Sequence, residues 1–203
     1  MARRNDHSRE QLKEMALVAS ESIVNQEGID ALSTRKVARE IGYSAGTLYQ
    51  VFNNLDDLVL QLNSRTLSRL QLQMTQRQRY DAKNRLKQYG YCYLNFAYHQ
   101  AELWHLLFEH RAVNSEQRPQ QLLNNIDALF TLVKHALSEL KPTSSDIEIT
   151  IAANSLWSGI HGITVLMLKG KLFEGDLHAA ESAVDCLMNN FILGWTTQGE
   201  QHA

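Results

Sequence analysis

The sequence predicts an all-α protein, and three observations carry that prediction. Only Pro119 and Pro142 interrupt 203 residues, so little in the chain breaks a helix. Apolar residues recur at helical spacing along most of the length, whereas period-two alternation is confined to Ile147, Ile149 and Ile151. Helix-start signals stand ahead of several of these periodic runs. No internal repeat or low-complexity stretch competes with this reading.

From the N-terminus, Ser8 with Gln11 forms a capping box, opening a helix whose stripe is Leu12, Met15, Ala16, Ala19 and Ile23; Gly28 closes it. Ser33 is placed as the N-cap of a second helix, Thr34 to about Ile41, with Val37, Ala38 and Ile41 on one face. Gly42 supplies the positive φ that ends it, Tyr43 comes next as a turn residue, and Ser44 caps a third helix running Ala45 to Phe52. Two helices joined by so short a turn must cross steeply, which is the layout of a helix-turn-helix. Ala38 and Gly46 are small where the pair is expected to touch, and Leu48, Val51 and Phe52 form the buried side of the third helix.

The other side of that helix presents Ser44, Ala45, Thr47, Tyr49 and Gln50. Hydroxyls and an amide on a short exposed helix suit phosphate oxygens and base edges in a major groove, with Gln50 the best candidate for reading adenine. From Gly28 to Phe52 the run GIDALSTRKVAREIGYSAGTLYQVF resembles the DNA-binding signature of the TetR family of bacterial transcription regulators. The resemblance covers about the first 60 residues. It implies an all-helical homodimer with a three-helix N-terminal reader, residues 1–55, and a larger helical-bundle domain for effector binding and dimerisation, residues 56–203. It further implies phosphate contacts from Thr34, Arg35 and Tyr49, and places Ala45, Gly46, Thr47 and Gln50 at or near bases.

The chain departs from the family pattern in three ways. Leu55 stands where the family often has a phosphate-binding Lys, a loss worth about one unit of salt slope. Gln50 and Val51 replace a usual His-Tyr or His-His pair. Charges in residues 1–55 balance, Arg3, Arg4, Arg9, Lys13, Arg35, Lys36 and Arg39 against Asp6, Glu10, Glu14, Glu21, Glu27, Asp30 and Glu40. Positive charge must therefore act by placement, with Arg3 and Arg4 as an arm and Arg35, Lys36 and Arg39 along the second helix.

Beyond the reader, a long helix from Asn54 to about Arg79 passes through Leu58, Leu62, Arg65, Leu67, Leu70 and Leu72 and is the natural mechanical link between domains. Further helices are predicted at about 82–99, 102–111, 119–140, 146–169 and 177–196. Pro119 is expected in a first turn, and Ser145 with Glu148 makes a second capping box. Leu177, Ala180, Val184, Leu187, Met188, Phe191, Ile192 and Trp195 form one stripe of the last helix. The helix before it is apolar on more than one side through Leu156, Trp157, Ile160, Ile163 and Met167. Such helices need partners on several faces, and the resemblance implies a dimeric four-helix bundle through these last two.

Tyr91, Phe96, Trp104, Phe108, Phe130, Trp157 and His161 are the candidate effector-binding residues, an aromatic-rich set with few polar groups that suits a largely apolar or aromatic molecule. Trp157, His161 and Gly162 also resemble a W-x-x-x-H-G element of one TetR subgroup. The spacing puts indole and imidazole on one helix face. That fits either a packed Trp beside a hydrogen-bonded core His or a polar anchor in a pocket, and Gly162 would permit close helix contact.

Composition narrows the function classes. A net charge of −2 and 44% hydrophobic content fit a globular cytoplasmic protein, not a general nucleic-acid coat or a binder of anionic membranes. MARRNDHSRE leads into an amphipathic helix, so no secretory signal is expected. Cys92 and Cys186 are expected as reduced, buried thiols. The apolar stretch 151–168 is broken by Asn154, Ser155, Ser158 and His161, so no membrane span is expected. His105 and Glu109 have ligand spacing without a second matched pair, so no metal is expected, and no cofactor or catalytic residue set emerges. The reading is a non-enzymatic, ligand-responsive regulator of transcription, a repressor that binds a pseudo-palindromic operator in double-stranded DNA as a homodimer. A helical-bundle carrier or enzyme without DNA binding is the alternative.

Overall fold

The computed structural model describes residues 7–110 and 119–197. Its helices are α1 (Arg9–Glu27), α2 (Thr34–Glu40), α3 (Ala45–Leu48), α4 (Leu55–Thr75), α5 (Ala82–His99), α6 (Ala101–Glu109), α7 (Gln120–Leu140), α8 (Asp146–Leu168) and α9 (Leu177–Thr197), and no strand occurs among the described residues. The chain folds as two compact units, Met1–Leu67 with Glu102–Asn124, and Ser68–Ala101 with Asn125–Ala203. The long α4 contributes its first turns to one and its last turns to the other.

The predicted caps are formed. Ser8 and Gln11 make a reciprocal capping box at α1, as do Ser145 and Glu148 at α8. The Ser33 hydroxyl accepts from the Lys36 amide at α2. Asp81, not singled out from the sequence, caps α5 by accepting from Asn84 N. Pro119 lies one residue ahead of α7, where its carbonyl accepts from Leu122 N at 3.0 Å. Proline has no amide to lose at that position.

Three features differ from the sequence reading. The α-helix of α3 spans 4 residues and stops at Leu48. Its continuation tightens into i−3 bonds, Gln50 N to Thr47 O at 3.1 Å and Val51 N to Leu48 O at 3.0 Å, while Val51 and Phe52 stay buried. α4 ends at Thr75 instead of near Arg79, and a turn of i−3 bonds from Arg77, Gln78 and Tyr80 comes after it; Leu72, in its last turn, is exposed. Cys186 is exposed on α9, unlike the buried Cys92; both are free thiols.

The core of the first unit joins Leu12, Ala16, Ile23 and Val24 of α1, Val37 and Ala38 of α2, Leu48 and Phe52 at α3, Leu58 and Leu62 of α4, and Leu103 and Leu106 of α6. In the second unit α5 packs on α8 and α9, which also pack on each other. Close approach there depends on Gly90 and Gly159. A Cβ on Gly90 would sit 3.1 Å from Val184 Cγ1, and one on Gly159 would sit 2.7 Å from Leu187 Cδ2. Gly162, expected to serve a close helix contact, has nothing within 4 Å of the corresponding position.

By length and composition α8 could cross a membrane, with 23 residues and a window of mean hydropathy 1.3, so its polar interruptions do not lower it as far as the sequence reading expects. Ile149, Ala153, Leu156, Ile160 and Met167 are buried within the chain, whereas Ile147, Ile151 and Leu166 are exposed.

Candidate functional site

The reader is built on α2 and α3. α2 ends in a Schellman arrangement: Gly42, at φ 76°, donates to Arg39 O at 3.1 Å, and Tyr43 N donates to Ala38 O at 2.8 Å. This reversal sends the chain straight to Ser44, whose hydroxyl accepts from Thr47 N at 3.2 Å and lies 2.9 Å from the Thr47 hydroxyl. Val37 and Ala38 bury one side of α2, and Leu48 is the buried residue of α3. A polar surface remains outward. Tyr49 is 54% exposed and its hydroxyl lies 3.4 Å from Thr34 Oγ1, so the start of α2 and the end of α3 share one edge.

Gln50, Ser44, Gly46 and Arg35 are exposed, and Ala45 and Thr47 are half-buried. Gly46 does not sit where the helices touch: an added Cβ would meet only the Ser44 hydroxyl, at 3.7 Å. Lys36 is engaged in an ion pair with Glu27, which leaves Arg35 and Arg39 as the exposed cations of α2. Arg3 and Arg4 lie outside the described residues. His7 is a contributor the sequence reading missed, since its Nδ1 lies 2.7 Å from Tyr43 Oη and ties the start of the chain to the turn. Nothing local in the sequence announces a contact between residues so far apart.

Leu55 packs against the reader's apolar core. Around it the head of α4 is acidic and closed, with Asn54 Oδ1 accepting from Asp57 N at 2.8 Å and Asp57 Oδ2 accepting from Asn53 N at 2.8 Å. Asp56 lies 3.2 Å from His110 Nε2. The departure at Leu55 thus puts a half-buried apolar contact where the family often has a charged tip.

The aromatic candidates separate into groups. Trp157 stacks on His161, with ring centroids 5.0 Å apart, and meets Phe130 edge-on at 5.9 Å. His161 Nδ1 lies 2.7 Å from the hydroxyl of the buried Tyr93, a residue the sequence reading did not single out. Burial holds His161 below the usual imidazole range. Phe96 is buried in the second unit and Tyr91 lines a cavity of about 570 Å³ there. Trp104 and Phe108 pair at 4.7 Å in the first unit. Sequence spacing could unite Trp157 and His161 on one helix; it could not sort the others among elements.

Comparison with known proteins bears on this arrangement. The family described as tetracyclin repressor-like, C-terminal domain, matches residues 86–190, and the family described as bacterial regulatory proteins, tetR family, matches residues 16–62. An uncharacterized HTH-type transcriptional regulator of Haemophilus influenzae is 26% identical over 129 residues, which span 64% of this chain and 65% of that relative. Among solved structures, a protein with unknown function from Rhodococcus sp. RHA1 has a TM-score of 0.77 at 22% identity, covering 95% of this chain and 98% of the other. The transcriptional regulator FadR of Bacillus subtilis, in complex with stearoyl-CoA, has a TM-score of 0.66 at 16% identity, covering 91% and 97%. At these identities the solved structures establish the fold alone. The matched families span reader and bundle alike, and the chain belongs to the TetR family of bacterial regulatory proteins.

Proposed function

We propose that the chain is a ligand-responsive transcription repressor that acts in the cytoplasm and binds a pseudo-palindromic operator as a homodimer. The observation that carries this reading is the exposed edge formed by Thr34, Tyr49 and the Ser44-capped α3, held by an apolar core that leaves its hydroxyls and Gln50 outward. Thr34, Arg35 and Tyr49 take phosphates in this reading, Ser44, Ala45, Gly46 and Thr47 approach the groove, Gln50 reads a base, and Arg3 and Arg4 reach the backbone beside the site. Residues 1–55 act as the reader and residues 56–203 as the sensing and dimerising part. Exposed Ile147, Ile151 and Leu193 support an assembly surface on α8 and α9. In such a dimer two readers meet successive major grooves about 34 to 36 Å apart.

The effector in this reading is a small molecule with a large apolar part, received near Trp157, Phe130 and His161 and bounded by others of the aromatic set. The stearoyl-CoA of the structurally similar FadR supports an effector with an extended apolar chain. Effector binding shifts α4 between two arrangements; a hundredfold release requires about 2.7 kcal/mol of differential binding.

The test is selection of bound sequences from a random duplex library by the purified full chain at two salt concentrations. An enriched inverted repeat is the expected result, with Gln50→Ala relaxing the preference at one position in each half-site and Arg35→Ala weakening all sequences alike. Absence of any consensus from folded, dimeric protein would overturn the reading. Trp157→Ala is expected to blunt the effector response while operator affinity is kept.

A further inference from the structure

The cavity of about 570 Å³ lies wholly within the second unit, between the end of α4, α5 and α9, and its walls are charged. None of Trp157, Phe130 and His161 lines it; of the aromatic set only Tyr91 does. On the α9 side stand Glu181 and Asp185, one helical turn apart. Asp185 is fully engaged: Lys87 Nζ lies at 3.0 Å, the Tyr91 hydroxyl donates at 3.1 Å and Asn189 Nδ2 at 3.2 Å. The Lys87 hydrogen bond accordingly holds its carboxyl below the usual carboxylate range.

Glu181 is different. It accepts the Asn95 amide at 2.9 Å and lies 3.7 Å from His178, whose side chain is 90% exposed, so solvent screens that contact. Across the cavity Arg77 lies just past the last turn of α4 and against the Cys92 thiol; its Nε is buried without a hydrogen-bond partner. No ion pair joins Arg77 to Glu181 or to any other carboxylate among the described residues. The cavity therefore holds one guanidinium that meets the Cys92 thiol and Tyr80 but none of these carboxylates, and one weakly compensated carboxylate, on separate walls.

We propose that this cavity binds a zwitterion of amino-acid or short-peptide size, its carboxylate on the Arg77 guanidinium and its ammonium group on Glu181. A planar guanidinium is suited to a carboxylate, and the Arg77 side chain lines the cavity with no carboxylate among the described residues paired to it. The Ser182 hydroxyl and the Tyr91 phenol border the Glu181 end and serve as further polar contacts. The volume is within the range of small-molecule sites. Neither a purely anionic nor a purely cationic ligand matches both walls.

The test is thermal denaturation and calorimetric titration of the purified full chain, without DNA, against the free L-amino acids and a dipeptide set taken one at a time. At least one probe is expected to raise the melting temperature. Its N-acetylated and its C-amidated forms should each lose that shift. Arg77→Gln and Glu181→Gln are each expected to weaken the effective probe by about tenfold or more. The capped-probe comparison needs only the wild-type chain, so a variant that folds poorly does not spare the proposal. No shift from any probe, equal shifts from the capped forms, or undiminished binding by both folded variants would overturn it. None of these outcomes touches the operator or the Trp157 site, so failure here is distinguishable from failure of the repressor reading.

Discussion

Leu55 shows how one side chain can set a trade between stability and recognition. Its side chain packs on the reader's core, beside a capped and acidic α4 terminus. Leu55→Lys would place a cation near the position where this family commonly meets a phosphate. The expected outcome is tighter operator binding and a steeper salt dependence by about one unit, read by titrating binding against salt, with a modest loss of melting temperature from the lost apolar contact. Unchanged slope would show that the acidic head of α4 keeps phosphate away. His161 gives a second residue-scale expectation. Because burial holds it below the ordinary value of 6.5, the folded chain binds fewer protons than the unfolded chain as pH falls from that value. Stability is then full above about pH 6.5 and declines as pH falls through the lowered pKa. His161→Gln, which keeps a polar partner for Tyr93, is expected to flatten the melting-temperature profile in that window.

At the scale of elements, what the sequence discloses is what depends on neighbours along the chain. Ser8, Ser33, Ser44 and Ser145 are legible as caps because each satisfies an amide three residues ahead, and Gly42 is legible because only a positive φ ends α2 there. The Cβ clearances are not legible. Gly90 and Gly159, not Gly162, are the glycines that neighbouring side chains crowd, and that depends on which face of α5 or α8 meets α9. Gly90→Ala tests this. The new methyl would lie 3.1 Å from Val184 Cγ1 and 3.3 Å from Ile160 Cδ1, both on stiff β-branched side chains. Overpacking of this kind costs about 1–3 kcal/mol, against about 1 kcal/mol gained in helix propensity. The expected net effect in denaturant titration is a loss of about 1 kcal/mol. The candidate site divides similarly: the hydroxyl edge of the reader stems from local spacing, while the link of Tyr93 to His161 and the charged cavity at Arg77 arise from contacts distant in sequence.

For the whole molecule, the decisive quantity is how much apolar surface a single chain leaves uncovered. The chain carries a net charge of −2, so no bulk attraction brings it to DNA, and in the proposed reading affinity comes from two readers acting together. The outward Ile147 and Ile151 of α8 and Leu193 of α9 are 73%, 60% and 63% exposed, while the inward faces of the same helices hold Ile149, Leu156, Val184 and Met188. The inward residues keep the chain folded and the outward ones form the proposed assembly surface, so folding and assembly should separate. Ile151→Asp with Leu193→Asp is expected to shift the chain to a monomer in sedimentation. Its helical signal should persist, since neither residue belongs to the buried core. Burying those two carboxylates in a copy-to-copy interface would be strongly unfavourable unless they found partners. Operator binding by the monomer should fall to the level of a single half-site, while a charge reversal elsewhere, Glu40→Lys on the exposed end of α2, should leave assembly intact. A double variant that stays dimeric and binds normally would move the assembly surface away from α8 and α9 altogether.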